Sequence, residues 1–455
     1  MIRLILCCLL LLIKYIPSSV ASCPKPPPFN GRVTEVTPSN IPFTLVSITL
    51  ADVVEANTPV DIVSASYQSP NSYVERYVKH DYYVASVKGQ DTSFAFGRID
   101  LTNMATFFEG IIFVNGKLNF VEQIQAWRSA TAGLAGKSAL ADKWGMGKWV
   151  DERKYIYYTE DDIEPLSNIN DTVELPYAHG KRGLVKLWRQ KMDIPAEAPK
   201  KPESLYQSYY NDKKVCSINV LLDSLAMEKV FKYNIKQAIH EVIILFGSLD
   251  FLYRILDFSG AGEPNHFGFQ IAKITVIMKS NNYASQNSFP LADKYMELLS
   301  TTGLGDDRCL CVSFTCQNLG GVTGQAFLGS AVAGIFMDGK TASPRKANWN
   351  IAYVNYMLNP AVQIRTRGSV LITLAHEVGH AFGAIHEEGT RCDTRTHLLM
   401  AGYLVDKIEG FHNFQFSQCN IILMKRIIDT RIAKFLNCPH NLRVYDNLFN
   451  QKYRG

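Results

Sequence analysis

The chain has 455 residues, 47% of them hydrophobic and 20% charged, for a mass of 51.1 kDa. That is enough apolar chain for two cores, and it excludes a mostly disordered, collagen-like or low-complexity protein. The net charge of +5, from 47 basic and 42 acidic residues, is small and dispersed, so no nucleic-acid partner is expected.

Residues 1–21 read as a signal peptide, with Arg3 as a short basic region, an apolar run over 4–13 and the small-residue cleavage site Ser19-Val20-Ala21. No later stretch holds 18 uncharged apolar residues, so no transmembrane segment is expected and the mature chain is read as secreted. Residues 22–192 form a region rich in β-branched and aromatic patches, with strands expected over 43–49, 82–87, 106–114 and 154–159. A proline-rich charged run from Asp193 to Pro202 opens a linker expected to extend over 193–214.

The second half alternates element types. A strand over 215–222 precedes a long amphipathic helix over 228–256, a strand over 266–278 and a helix over 291–299. A strand over 309–315 and extended segments over 324–337 and 350–356 follow. Helices over 369–382 and 417–436, the latter with Ser417 as N-cap, complete the region. Interleaving of this kind predicts an α/β layered domain over 215–440, with a tail over 441–455.

The segment His376-Glu377-Val378-Gly379-His380-Ala381-Phe382-Gly383-Ala384-Ile385-His386 carries the chemistry. His376 and His380 are four apart on a helix and face one point. Gly383 can take a positive φ, end the helix and return the chain so that His386 arrives as a third nitrogen. Three neutral imidazoles leave a fourth position on Zn²⁺ open, the arrangement of a catalytic site, and Glu377 stands where it can take a proton from the attacking water. Such a string recurs by chance in roughly one in 10⁵ chains of this length. His240-Glu241 has no second histidine at the required spacing and reads as helix surface. Met400 is the candidate for the Met-turn that accompanies the three-histidine motif.

Eight cysteines remain after Cys7 and Cys8 leave with the signal peptide. Their clustering in an exported chain predicts disulfides. Cys309, Cys311 and Cys316 have no partner pair at a zinc-finger interval, so no structural zinc is expected there.

Beyond the motif, the second half resembles the ADAM (reprolysin) metalloproteases, and within them the kuzbanian/alpha-secretase sheddase branch. The residues that carry this are Thr373 to His380, Glu388-Gly389-Thr390-Arg391-Cys392, Phe416-Ser417-Gln418-Cys419, Asp306 to Leu310 and Asp257-Phe258-Ser259-Gly260. Phe108-Glu109-Gly110 and Tyr157 to Ile163 resemble that branch's prodomain. The resemblance implies an α/β fold: a metzincin catalytic domain with a mixed sheet, an active-site helix and a small C-terminal subdomain, preceded by a mostly β prodomain. It implies disulfides Cys216–Cys309 and Cys392–Cys419, and a substrate-binding edge strand near residues 324–329.

The departures are specific. The segment 337–346 lacks the cysteine that would pair with Cys438, and Cys311 or Cys316 is the expected substitute. Tyr177 stands where the branch has its inhibitory switch cysteine, the linker has no full convertase site, and Glu387 replaces the usual Asp after the third histidine. No disintegrin-like, cysteine-rich or membrane-spanning part is expected. The resulting expectation is a secreted, monomeric zinc endopeptidase acting on extracellular proteins or peptides, with His376, His380 and His386 on the metal and Glu377 as the catalytic base. An ADAM-like binding or decoy protein, and a shortened form of a membrane sheddase, are the alternatives.

Overall fold

A computed structural model describes residues 35–51, 53–54, 58–64, 67–74, 82–101, 106–123, 155–160, 214–256, 258, 267–279, 292–301, 308–329, 350–358, 363–387, 390, 392, 398–401 and 414–429. The signal peptide, Tyr177, the linker up to residue 213, Cys438 and the tail lie outside these residues.

The fold is α/β, with a β-rich N-terminal region. Strands β1 (Glu35–Val36), β2 (Leu45–Leu50), β5 (Tyr82–Val87), β6 (Gln90–Leu101), β7 (Thr106–Val114), β8 (Lys117–Gln123) and β9 (Tyr155–Thr159) form one antiparallel sheet in the order β1-β2-β5-β6-β7-β8-β9. Side chains alternate across it, as a strand requires. Ala95, Ile112 and Val121 pack with Leu45 and Ile48 on one face. Phe94, Phe96, Ile111 and Phe120 join the core of the C-terminal half on the other.

The second sheet runs β13 (Gly324–Ala326), β14 (Ile351–Asn355), β12 (Leu310–Thr315), β10 (Lys214–Leu222), β11 (Phe267–Lys279), β3 (Pro59–Ser64), β4 (Tyr67–Tyr73). Its middle strands are parallel, and β13 and β4 close the two edges antiparallel. A parallel sheet must be covered on both faces. Along β12, Leu310, Val312 and Phe314 face the main core, whereas Cys311 faces helix α3 (Ala292–Ser300) through Tyr295, Met296 and Leu299. Two strands of the N-terminal region therefore belong to this sheet, since β3 pairs with β11 from Val60↔Ile274 to Ser64↔Lys279. A short strand pair, β15 (Met357–Leu358) with β16 (Gln363–Ile364), leads into the active-site helix.

The expected helix over 228–256 is instead two: α1 (Ser224–Lys229) and α2 (Ile235–Arg254). Lys232 and Tyr233 between them take φ of 50° and 60°, which no right-handed helix accommodates. Asn234 then caps α2 by accepting from the Gln237 N–H at 3.1 Å. Nor is α2 amphipathic over most of its length: residues from Ala238 to Arg254 are buried, with Glu241 alone half-buried. It lies between the two halves and is apolar on both sides. Phe94 stacks on Phe251 with ring centroids 3.9 Å apart, and a Cβ on Gly247 would stand 2.0 Å from the Phe96 ring.

Charge is buried at the same junction. Arg367 bonds Glu109 of β7 at 3.0 Å and Glu241 of α2 at 2.6 Å. His240 Nε2 lies 3.0 Å from Glu109. The reading of His240-Glu241 as helix surface is therefore corrected. Their partners come from residues more than a hundred positions away, and no local pattern shows that.

Burial dominates at Glu122, whose carboxyl is pushed up to about 7, with the nearby Glu241 charge adding and Arg367 opposing. At Glu109, His240 and Arg367 together overcome burial and hold the carboxyl down at about 2. A buried carboxyl raised from 4.5 to about 7 costs stability above pH 7 and ceases to cost it as pH falls towards 4.5. Glu122→Gln is accordingly expected to melt higher than the wild type above pH 7 and to lose that advantage towards pH 4.5. Thermal melts of both proteins across that range check this, and a variant that melts lower throughout contradicts it.

Candidate metal centre

Helix α4 (Arg367–Ala381) starts two residues ahead of the expected 369 and is capped by Thr366, whose hydroxyl accepts from the Ser369 N–H. The helix is buried along its whole length. It lies across β13 and β14, and the Tyr253 hydroxyl of α2 donates to Ala375 O at 3.0 Å.

The structure brings together the three histidines singled out in the sequence. Their ligand atoms lie within 4.8 Å of one another. His380 Nε2 is 2.9 Å from His376 Nε2 and 3.1 Å from His386 Nε2. His376 Nδ1 lies 2.6 Å from Leu399 O, and His380 Nδ1 lies 2.8 Å from Ala384 O. A carbonyl only accepts, so in both rings Nδ1 carries the proton and Nε2 presents its lone pair. Two neutral rings cannot hydrogen-bond through such lone pairs. A cation between them resolves the repulsion, and a backbone acceptor behind each ring is the usual support of a ligating histidine. The three nitrogens thus fit a metal ion.

The turn that delivers His386 forms as the sequence predicts. Gly383 has φ of 92°, and its N–H and that of Ala384 donate to His380 O at 2.8 Å and Gly379 O at 2.9 Å. Asn420, on helix α5 (Gln418–Ile427), grips Ile385 beside His386. Its Oδ1 accepts from the Ile385 N–H at 2.9 Å, and its Nδ2 donates to Ile385 O at 3.1 Å. Asn420 escaped sequence reasoning because an asparagine in the first turn of a helix reads as ordinary surface. Ser417 caps α5 as expected, accepting from the Asn420 N–H at 3.2 Å.

Met400 is fully buried beneath α4. A Cβ on Gly379 would lie 2.7 Å from its sulfur, so the glycine inside the motif makes room for the methionine. Glu387 fastens this floor: its N–H donates to Met400 O at 3.2 Å and its carboxylate accepts from the Leu398 N–H at 3.2 Å. Glu377 is buried below β13, where a Cβ on Gly324 would come within 2.5 Å of its Oε1. Arg365 anchors the preceding turns, donating to Asn355 O at 2.8 Å and to Thr373 Oγ1 at 2.5 Å. Burial pulls its guanidinium down to about 9 against the opposing charge of Glu377.

Both expected disulfides are present: Cys216–Cys309 and Cys392–Cys419. Cys311 and Cys316, the candidates for pairing with Cys438, are instead free buried thiols. Burial pushes Cys311 up to about 12, which leaves it inert as a nucleophile.

A buried helix with two histidines and a third on the loop that returns from it, over a methionine floor and against the edge strand of a mixed sheet, defines a metallopeptidase domain of metzincin type. Residues 235–430 match the metallo-peptidase family M12B, reprolysin-like. The chain is similar to disintegrin and metalloproteinase domain-containing protein 10 of Bos taurus, 23% identical over 344 residues, and of Homo sapiens, 25% identical over 344 residues. Each of these matches covers 68% of this chain and 40% of the relative, so the chain spans less than half the length of either. The protein of the same name from Mus musculus is 28% identical over 197 residues, covering 40% of this chain and 24% of its own length.

The grip on Ile385 gives an expected outcome. Asn420→Ala leaves two half-buried backbone groups without their Asn420 partners and should destabilise the fold by about 1 kcal/mol. It should also weaken metal binding, because His386 is the adjacent residue. Metal titration followed by calorimetry checks both, and unchanged affinity would show that His386 is positioned by other contacts.

Proposed function

We propose that this chain is a secreted zinc endopeptidase that acts as a monomer on extracellular proteins or peptides, with residues 1–21 as its leader and 22–192 as a prodomain joined through a linker over 193–214 to a catalytic region over 215–440. The observation that carries the reading is the convergence of three Nε2 atoms, two of them from rings whose Nδ1 faces a backbone carbonyl. His376, His380 and His386 would hold Zn²⁺, for which three imidazoles with one open position are a catalytic donor set. When bound there, the metal polarises a peptide carbonyl and acidifies water.

The chain's own residues do the rest. Strand β13 ends its sheet, and its outer edge offers backbone groups to which an extended peptide adds as a further strand. Gly324 keeps that edge directly over Glu377, so a peptide lying along it would present its scissile bond to the carboxylate. Glu377 takes the proton released by the attacking water and returns it to the leaving amine. Two disulfides accord with an oxidising compartment. Among the described residues no helix is long and apolar enough to cross a membrane.

Glu377→Gln keeps the shape of the site and removes the base. The variant should retain one zinc per chain while kcat for a generic peptide falls by about 10²–10⁴. Cleavage assays with and without a chelator, beside metal analysis of both proteins, test this. Full turnover by the variant would sink the assignment of Glu377. Zinc retention with no cleavage by the wild type, even after cutting in the linker, would favour a binding protein that cleaves nothing.

A further inference from the structure

The N-terminal region does more than lie against the catalytic region. The first backbone donors of any helix have no partner inside it and must be capped from elsewhere. At α4, Thr366 meets one of these donors and two more are met from β8 and β9. Arg367 N donates to Glu122 Oε1 at 3.0 Å, and Gly368 N donates to the Tyr158 hydroxyl at 3.0 Å. Tyr158 in turn donates to Glu122. The Arg367 side chain, 2% exposed, is held by Glu109 of β7, by Val121 O of β8 at 3.0 Å and by Glu241 of α2. Only the last belongs to the C-terminal half.

Two further contacts, independent of charge, join the halves. Strand β3 covers the edge of β11, with Thr58 Oγ1 and Val53 O bonded to Ile271. Phe94 and Phe96 cover α2 at Phe251 and Gly247. Removing residues 35–160 would leave Arg367 buried against Glu241 alone, strip two caps from the active-site helix, bare an aromatic face and open a parallel strand edge. Each of these costs stability. Arg367 is nine residues from His376, roughly 14 Å along the helix axis, so these contacts hold the helix from behind and do not lie at the metal ligands.

We infer that the N-terminal region is a permanent constituent of the metal-binding unit: it stays docked after the chain is cut in the linker, and Glu122, Tyr158 and Glu109 act as positioning residues for the helix that carries His376, Glu377 and His380. The effect on the metal rests on reading those histidines as ligands; the docking does not.

The test uses the full chain with a site-specific protease sequence in place of residues 196–201. After cutting, the two pieces should co-elute as a one-to-one complex by native mass, with metal affinity equal to that of the uncut chain. Glu109→Leu combined with Tyr158→Phe should let the cut pieces separate and lower metal affinity by roughly tenfold, the size expected for lost capping contacts. Should the double variant fail to fold, Tyr158→Phe alone in the uncut chain should raise hydrogen exchange at the Gly368 amide by at least about tenfold, while amides on β12 stay protected. Separation of the cut wild-type pieces, or unchanged exchange at Gly368 in Tyr158→Phe, overturns the inference. Failure of the uncut chain to bind metal would count against the histidine assignment and leave the docking result standing.

Discussion

Helix α4 is buried from end to end, yet it carries an arginine, a glutamate and two histidines. Placing that much polarity out of water is costly unless every group is met, and the architecture around the helix supplies those partners. At its start, a guanidinium and two backbone amides are answered by Glu109, Glu122, Tyr158 and Glu241. Two residues earlier, Arg365 is spent on carbonyls and hydroxyls. At its end, imidazole protons go to Leu399 O and Ala384 O. Beyond these bonds, the Nε2 atoms of His376 and His386 converge on that of His380, at 2.9 and 3.1 Å.

The same constraint explains the glycines of the site. Gly379 lets Met400 rise against the helix and Gly324 lets the edge strand descend upon Glu377, while Gly383 turns the chain back on itself. Side chains at these points would separate the three histidines, Glu377 and the strand by the width of a methyl group or more. Glu387 and Asn420 then lock the returning loop from two sides.

Much of this was legible in the sequence because it is local. The motif spacing singles out the three histidines that converge, the positive φ at Gly383 follows from its place after the second histidine, and strands such as 82–87 and 106–114 begin and end where their apolar patches do. The pairings Cys216–Cys309 and Cys392–Cys419 came from family resemblance, not from spacing. What failed was everything decided at a distance. A helical period ran through Lys232 and Tyr233, whose turn depends on the Asn234 cap. Burial of α2 on both sides depends on Phe94 and Phe96, far away in the chain. His240 and Glu241 looked like solvated surface because Arg367 and Glu109 are distant in sequence. The addition of β3 to β11 joins segments more than 200 residues apart, and no periodicity encodes it.

The account stands or falls on those three converging nitrogens. X-ray absorption at the zinc edge, on protein purified without chelator, examines them directly. One zinc per chain, surrounded by three imidazole nitrogens and a light oxygen scatterer with no sulfur, is the predicted result. Absence of stoichiometric zinc, or sulfur in its coordination shell, would contradict it.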